Sequence, residues 1–163
     1  MAYQPGLRHD FAITVATLAG ALTGLLFVAV SLKSEVLGRS RGLASRAAQT
    51  LTLFMTSAIA AILLVTPQPR LALGAELLAV PAVSGMAISV FDRRAGHNPQ
   101  SRLERYLEVA SPNLVTDVLV AITGLTLMLQ AGGGLYWMIP AALASLTSGV
   151  INAWLFLLKV PAS

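Results

Sequence analysis

Apolar residues run along this chain in blocks too long for a soluble core, broken by short polar stretches. Five such blocks are present: Phe11–Leu32, Ala47–Thr66, Ala72–Phe91, Leu114–Ala131 and Leu135–Val160. A bilayer core of roughly 30 Å takes about 20 helical residues at about 1.5 Å each. Each block is near that length or beyond it. The punctuation supports the same division. PQPR (Pro67–Arg70) and AGGG (Ala131–Gly134) are tight turns of residues that end helices. Lys33–Arg46 and Asp92–Pro112 are longer polar loops. The pattern predicts one all-α membrane domain over residues 1–163, an integral membrane bundle of five transmembrane helices.

The first block runs about 22 residues, longer than the roughly 7–15 of a signal-peptide core. Only Arg8, against Asp10, precedes it, so the positive flank of a signal peptide is missing. It reads as an uncleaved span, although Ala29–Ser31 resembles a cleavage site.

Charge orients the spans. With five of them, both long loops and the C-terminus share one side. That side carries Lys33, Arg39, Arg41, Arg46, Arg93, Arg94, Arg102, Arg105 and Lys159; the other carries only Arg8 and Arg70. Basic residues collect on the cytoplasmic side. The N-terminus is therefore expected outside and the C-terminus in the cytoplasm, in a bacterial inner membrane crossed several times. Tyr136 and Trp137 fall at the outer interface on this scheme. Trp154 lies about 26 Å further along the helix, near the inner one.

The second long loop has an internal pattern. Asn98 and Pro99 form a helix-start signature. Leu103, Tyr106, Leu107 and Ala110 then share one face, with Arg102, Glu104, Arg105 and Glu108 polar. This predicts a short amphipathic helix on the inner leaflet between the third and fourth spans. Docking of a partner is the functional alternative.

Composition excludes several classes. The chain is 56% hydrophobic and 11% charged, where a soluble domain carries about 25% charged residues. Mean hydropathy is +0.75. The net charge of +4 fits cytoplasmic loops better than nucleic-acid binding, because no basic groove interleaves with exposed aromatics. Cysteine is absent, which rules out disulfides, thiolate zinc sites, iron–sulfur clusters and thiol nucleophiles. His9 and His97 are expected on opposite sides of the membrane, so they cannot form a metal pair. HExxH, GxSxG, a phosphate loop and TVGYG are all missing. No enzyme and no cofactor is expected. The odd number of spans and the lack of an internal repeat disfavour an inverted-repeat transporter.

The remaining candidates are polar or small residues inside the spans. Small residues let helices approach closely in lipid. The first span holds Gly20 and Gly24 as a GxxxG, with Thr14, Thr17, Ala21 and Ser31 near the same face. The fifth places Ala141, Ser145, Gly149 and Asn152 at three- and four-residue steps. Such faces serve helix contact or line a water path. The fourth span carries Thr116, Thr123, Thr126 and Gln130.

Glu76 lies six residues past Arg70, about 9 Å below the outer edge. A carboxylate at mid-membrane costs roughly 2.5–3.5 kcal/mol on insertion scales, and less near the interface. Arg70 is about 240° away around the helix, so a partner from another helix is expected. His9, Asp10, Gln130, Tyr136 and the amides of Gly132–Gly134 are the candidates. Glu76 is read as a cation or proton site, or as an acid satisfied by an interhelical bond. Asp117 sits toward the other side, level with Asn152, and an Asp117–Asn152 bond would satisfy both.

Gly24–Leu32, Ser45–Phe54, Leu71–Leu78, Gly133–Ala141 and Gly149–Val160 together resemble a family of small polytopic membrane proteins of actinobacterial type, sometimes labelled modulators of the FtsH membrane protease. The resemblance covers most of the chain and implies a membrane protease as a partner. It assigns no role to any residue. The leading expectation is a non-enzymatic subunit that self-associates or joins a larger membrane complex. The alternatives are a homo-oligomeric cation channel with Glu76 near its outer mouth, and a small-molecule or lipid-binding transporter.

Overall fold

The structure is a computed structural model that describes residues 5–32, 41–95 and 112–159. Five α-helices account for nearly all of them: α1 (Pro5–Leu32), α2 (Arg41–Val65), α3 (Arg70–Ala95), α4 (Pro112–Leu129) and α5 (Met138–Lys159). A short 3-10 turn, Gly134–Trp137, leads into α5. No strand occurs among the described residues.

The five helices coincide with the five apolar blocks, but their ends differ. Residues 41–46 and 92–95, expected in loops, belong to α2 and α3. Hydropathy marks the segment that avoids water, whereas the helix continues for as long as its backbone bonds are satisfied. At the fourth block the helix stops earlier, at Leu129, because Gln130 takes a left-handed φ of 57°. The fifth block opens as a 3-10 turn, not as α-helix. Of the amphipathic segment Asn98–Pro112, residues 98–111 lie outside the described residues, as does His97, and Pro112 opens α4.

Four helices are long and apolar enough to cross a membrane: α1, α2, α3 and the Gly134–Trp154 stretch that includes α5. α4 is shorter, its 18 residues spanning about 27 Å.

One apolar cluster shows how the helices run. It joins Ala12 of α1, Ala60 and Leu64 of α2, Leu73 and Leu77 of α3, Val120 of α4, and Met138 and Ala141 of α5. These lie toward the start of α1, α3 and α5 and toward the end of α2, so successive helices alternate in direction. α2 is the hub. It packs on α1, α3 and α5 and more lightly on α4, while among the described residues α1 packs mainly on α2, with a smaller contact to α5. Burial on α2 recurs at Ala47, Thr50, Leu53, Phe54, Ser57, Ala60, Ala61 and Leu64, the three- and four-residue rhythm of one helix face.

Two close approaches set the spacing. Gly74 of α3 and Gly124 of α4 cross backbone to backbone. A methyl group on Gly124 would lie 2.7 Å from the Gly74 carbonyl oxygen and 3.1 Å from the Leu78 amide nitrogen. On the other side of the bundle, Gly149 of α5 lies against the Phe54 ring of α2. Small residues make such contacts possible where lipid supplies no hydrophobic drive for helices to associate.

Candidate functional site

The turn between α2 and α3 is built around Gln68. Val65 ends α2, and the following Pro67 and Pro69 prevent its continuation. The Gln68 side-chain amide has two donors and uses both. One reaches the Leu63 carbonyl at 3.3 Å, and the other reaches Glu76 Oε2 at 2.8 Å. The partner of Glu76 is therefore a turn residue. Of the groups expected to hold it, His9 and Asp10 are exposed near the start of α1, and Gln130 is exposed past the end of α4. Chain proximity decides this: a turn of four residues delivers Gln68 to the first two turns of α3, with no need for another helix.

Glu76 also forms one end of a groove of about 520 Å³ between α2 and α3. Leu51, Met55, Ile59, Val80 and Val83 make its walls, and Thr52, Thr56 and Ser84 are its polar positions away from Glu76. Pro81 interrupts α3 along this groove. Its ring nitrogen carries no hydrogen, so the Leu77 carbonyl loses its usual helical donor.

A second polar group lies in the other half of the bundle. On α4, Asn113, Thr116, Asp117, Val120 and Thr123 are all buried, at positions i, i+3, i+4, i+7 and i+10. This face packs inward although four of the five residues are polar. The side chain of Ser84, from α3, stands beside the Asp117 carboxylate. Its hydroxyl forms no well-aligned hydrogen bond there, and Thr116 Oγ1 and Asn113 Oδ1 are also buried without a partner among the described residues. The expected Asp117–Asn152 bond is not made. Asp117 lies within about 20° of Gly124 around α4, so it points at α3. Asn152 is half-buried on α5.

A third contact closes α5 on α2. Ser57 and Ser145 are hydrogen-bonded through their hydroxyls, and Ser145 Oγ also reaches the Leu53 carbonyl at 3.4 Å. Ala141 and Ser145 are buried with Gly149 on this face of α5. Gly20 and Gly24 behave otherwise. Both are exposed, and nothing lies within 4 Å of where their Cβ atoms would be. Their GxxxG packs no helix among the described residues, because α1 turns Ala12, Val15, Ala19 and Leu26 toward α2 instead.

The α4–α5 turn is held by its own side chains. Gly132, Gly133 and Gly134 have φ of 76°, 96° and 52°, a left-handed run that glycine alone adopts freely. Trp137 Nε1 donates to the Gly132 carbonyl at 2.7 Å, and Thr126 Oγ1 reaches the Gly134 carbonyl at 3.5 Å. Tyr136 and Trp154 are largely exposed, as interface aromatics are.

Sequence reasoning missed Gln68, Ser84, Asn113 and the Gly74–Gly124 crossing. For Asn113 the signal was present, since it extends the Thr116–Thr123 face by one turn. For the glycines there was none, because each stands alone in its own helix.

Among the described residues no three His, Cys, Asp or Glu side chains gather as a metal cluster. The helix lengths and apolar character define a polytopic α-helical membrane protein. No known protein family, curated protein or solved structure matches the chain.

Proposed function

We propose that the chain is a non-enzymatic membrane protein that works by association within the bilayer, its α1 pairing with α1 of a second copy. All five helices cross the membrane in this reading, with the short turns outside and the basic loops in the cytoplasm of a bacterial inner membrane. α4 spans at about 27 Å, within the tolerance of a locally thinned bilayer.

The observation that carries it is the open face of α1. Thr17, Gly20, Ala21 and Gly24 are all exposed and lie within about 100° of one another around the helix. The two glycines leave a shallow surface where a second backbone can approach, the usual basis of GxxxG pairing. A helix that packs on essentially one neighbour has this face to offer.

Because the chain has no cysteine, single introduced cysteines report contacts cleanly. In native membranes Thr17→Cys should oxidise to a dimer, whereas Leu18→Cys, about 100° away, should not. Gly24→Leu, whose Cβ would have nothing within 4 Å among the described residues, should abolish the Thr17→Cys cross-link without loss of folded protein. Equal, weak cross-linking of Thr17→Cys and Leu18→Cys, with a monomeric mass in lipid nanodiscs, would overturn the proposal.

A cation channel would need the α2–α3 groove turned toward an assembly axis, so that Glu76 forms a ring. Glu76→Gln would then change ion selectivity in proteoliposomes.

A further inference from the structure

We propose that Asp117, with Asn113 and Thr116 from the same turn of α4 and Ser84 from α3, forms an occluded site for a monovalent alkali cation. The inference is independent of how copies associate.

The starting point is burial without satisfaction. Asn113, Thr116, Asp117 and Ser84 are 4%, 1%, 8% and 5% exposed. Among the described residues the Asn113 Oδ1 and Thr116 Oγ1 atoms have no hydrogen-bond partner, and Ser84 Oγ, beside the Asp117 carboxylate, makes no well-aligned bond. Native proteins leave few buried polar atoms unpaired, and each such atom calls for an explanation. Asn113 and Thr116 share the buried face of α4 with Asp117, and Ser84 of α3 stands beside its carboxylate; polar groups left unpaired so close together along one helix pair share a single cause more readily than separate ones.

The chemistry of the donors names the ligand. The carboxylate and the Asn113 Oδ1 are acceptors only, and the two hydroxyls accept through their lone pairs. All four are oxygens, the donor set of a hard cation. Nitrogen and sulfur ligands, which zinc uses, are absent from the group. The single carboxylate is neutralised by one positive charge; a divalent ion would leave a buried excess. Half-buried Glu76 is already engaged by Gln68 and adds no charge here.

Position fits as well. Asn113 and Asp117 lie within about 40° of each other on α4, on the side facing α3, where Ser84 meets the carboxylate. Ionisable residues inside membrane bundles face the bundle interior or a water-filled cavity and mark ion and substrate paths. Ser84 also lines the α2–α3 groove, so the site backs onto that groove.

The test uses the full chain in neutral detergent. Thermal unfolding is followed in sodium, potassium and N-methylglucamine chloride at one ionic strength, together with retention of radiolabelled sodium by equilibrium dialysis. Sodium or potassium should raise the Tm saturably above N-methylglucamine, and labelled sodium should be retained and displaced by unlabelled salt. Asp117→Asn should abolish both effects, and Thr116→Val should weaken apparent affinity about tenfold or more. If Asp117→Asn does not fold, Ser84→Ala supplies the same comparison, and retention by the unmodified protein decides alone. Identical Tm in all three salts with no retained sodium means that water alone fills the site, and would overturn the proposal.

Discussion

Adding one methyl group at Gly124 separates the geometry of this bundle from helix propensity. Alanine is favoured over glycine inside a helix by about 1 kcal/mol, so propensity alone makes Gly124→Ala stabilising. The structure reverses the sign. The new Cβ would stand 2.7 Å from the Gly74 carbonyl oxygen and 3.1 Å from both Leu78 Cγ and the Leu78 amide nitrogen. Two of these three atoms belong to the α3 backbone and cannot rotate away. Relief requires α3 and α4 to separate along their whole contact, which also loosens Leu73, Leu77 and Val120. Overpacking of a tight interior costs about 1–3 kcal/mol. A backbone clash falls at the upper end, about 3 kcal/mol, and the propensity gain offsets about 1. The net loss is about 2 kcal/mol.

Gly20→Ala is the matched control. It also replaces an α-helical glycine, but nothing lies within 4 Å of its Cβ position. It should be neutral or slightly stabilising. Unfolding in mixed micelles, followed by far-UV circular dichroism, measures both against the unmodified chain. Gly124→Ala as stable as Gly20→Ala would refute the backbone crossing and the α3–α4 packing built on it.

Other positions offer equally direct checks. Gly149→Ala should cost about 1–3 kcal/mol through the Phe54 ring, and Phe54→Leu in the same chain should recover part of it. Loss of additivity between the two, measured by the same unfolding assay, is the expected signature. In a Ser57→Ala, Ser145→Ala cycle the coupling should be about 0.6 kcal/mol, the average for interhelical hydrogen bonds in membranes; independent effects would deny the bond. Gln68→Ala removes both the Leu63 and the Glu76 bonds and should cost about 1 kcal/mol, with faster exchange of the Thr66 and Leu73 amides that flank the turn. Trp137→Phe removes the donor to the Gly132 carbonyl at an expected cost of about 1 kcal/mol, and near-UV circular dichroism should report a loosened α4–α5 turn.

How much of this was legible beforehand depends on the range of each interaction. The apolar blocks located all five helices because a lipid-exposed helix must be apolar along its whole length, a local property of the chain. Helix ends were less legible. Arg41 and Arg94 are helical because backbone bonding continues past the hydrocarbon, and nothing in hydropathy records that. Among the packing residues, Ala141, Ser145 and Gly149 were readable as a stripe, and they pack against α2. Gly20 and Gly24 formed an equally good stripe yet face outward, since a small-residue motif does not say whether its partner lies in the same chain. The Glu76 partner was missed for a simpler reason. Gln68 is close in sequence and lies in the turn itself, where neither helical periodicity nor depth in the membrane singles it out.

The two ends of the bundle are held by different means, and that bears on what the protein can do. At the end with the short turns, Leu64, Leu73, Leu77 and Met138 share one apolar cluster. Gln68 ties α2 to α3 there, and Trp137 ties down the α4–α5 turn. Those contacts are complete as they stand. Toward the opposite end the buried face of α4 presents Asn113, Thr116 and Asp117 with three unpaired oxygens counting Ser84, and the turn-end cluster does not reach them. A ligand supplied there adds what the chain lacks and draws α3 onto α4 below the Gly74–Gly124 crossing. That crossing is the natural fulcrum, because neither backbone can yield at it. α2 packs on α3 and also carries α1, so closure of the α3–α4 pair reaches the exposed Gly20–Gly24 face through a single intervening helix. A bound cation and the association of copies would then be coupled, and sodium should strengthen the Thr17→Cys cross-link in the unmodified background but not in Asp117→Asn. Equal cross-linking with and without sodium in both would separate the two properties.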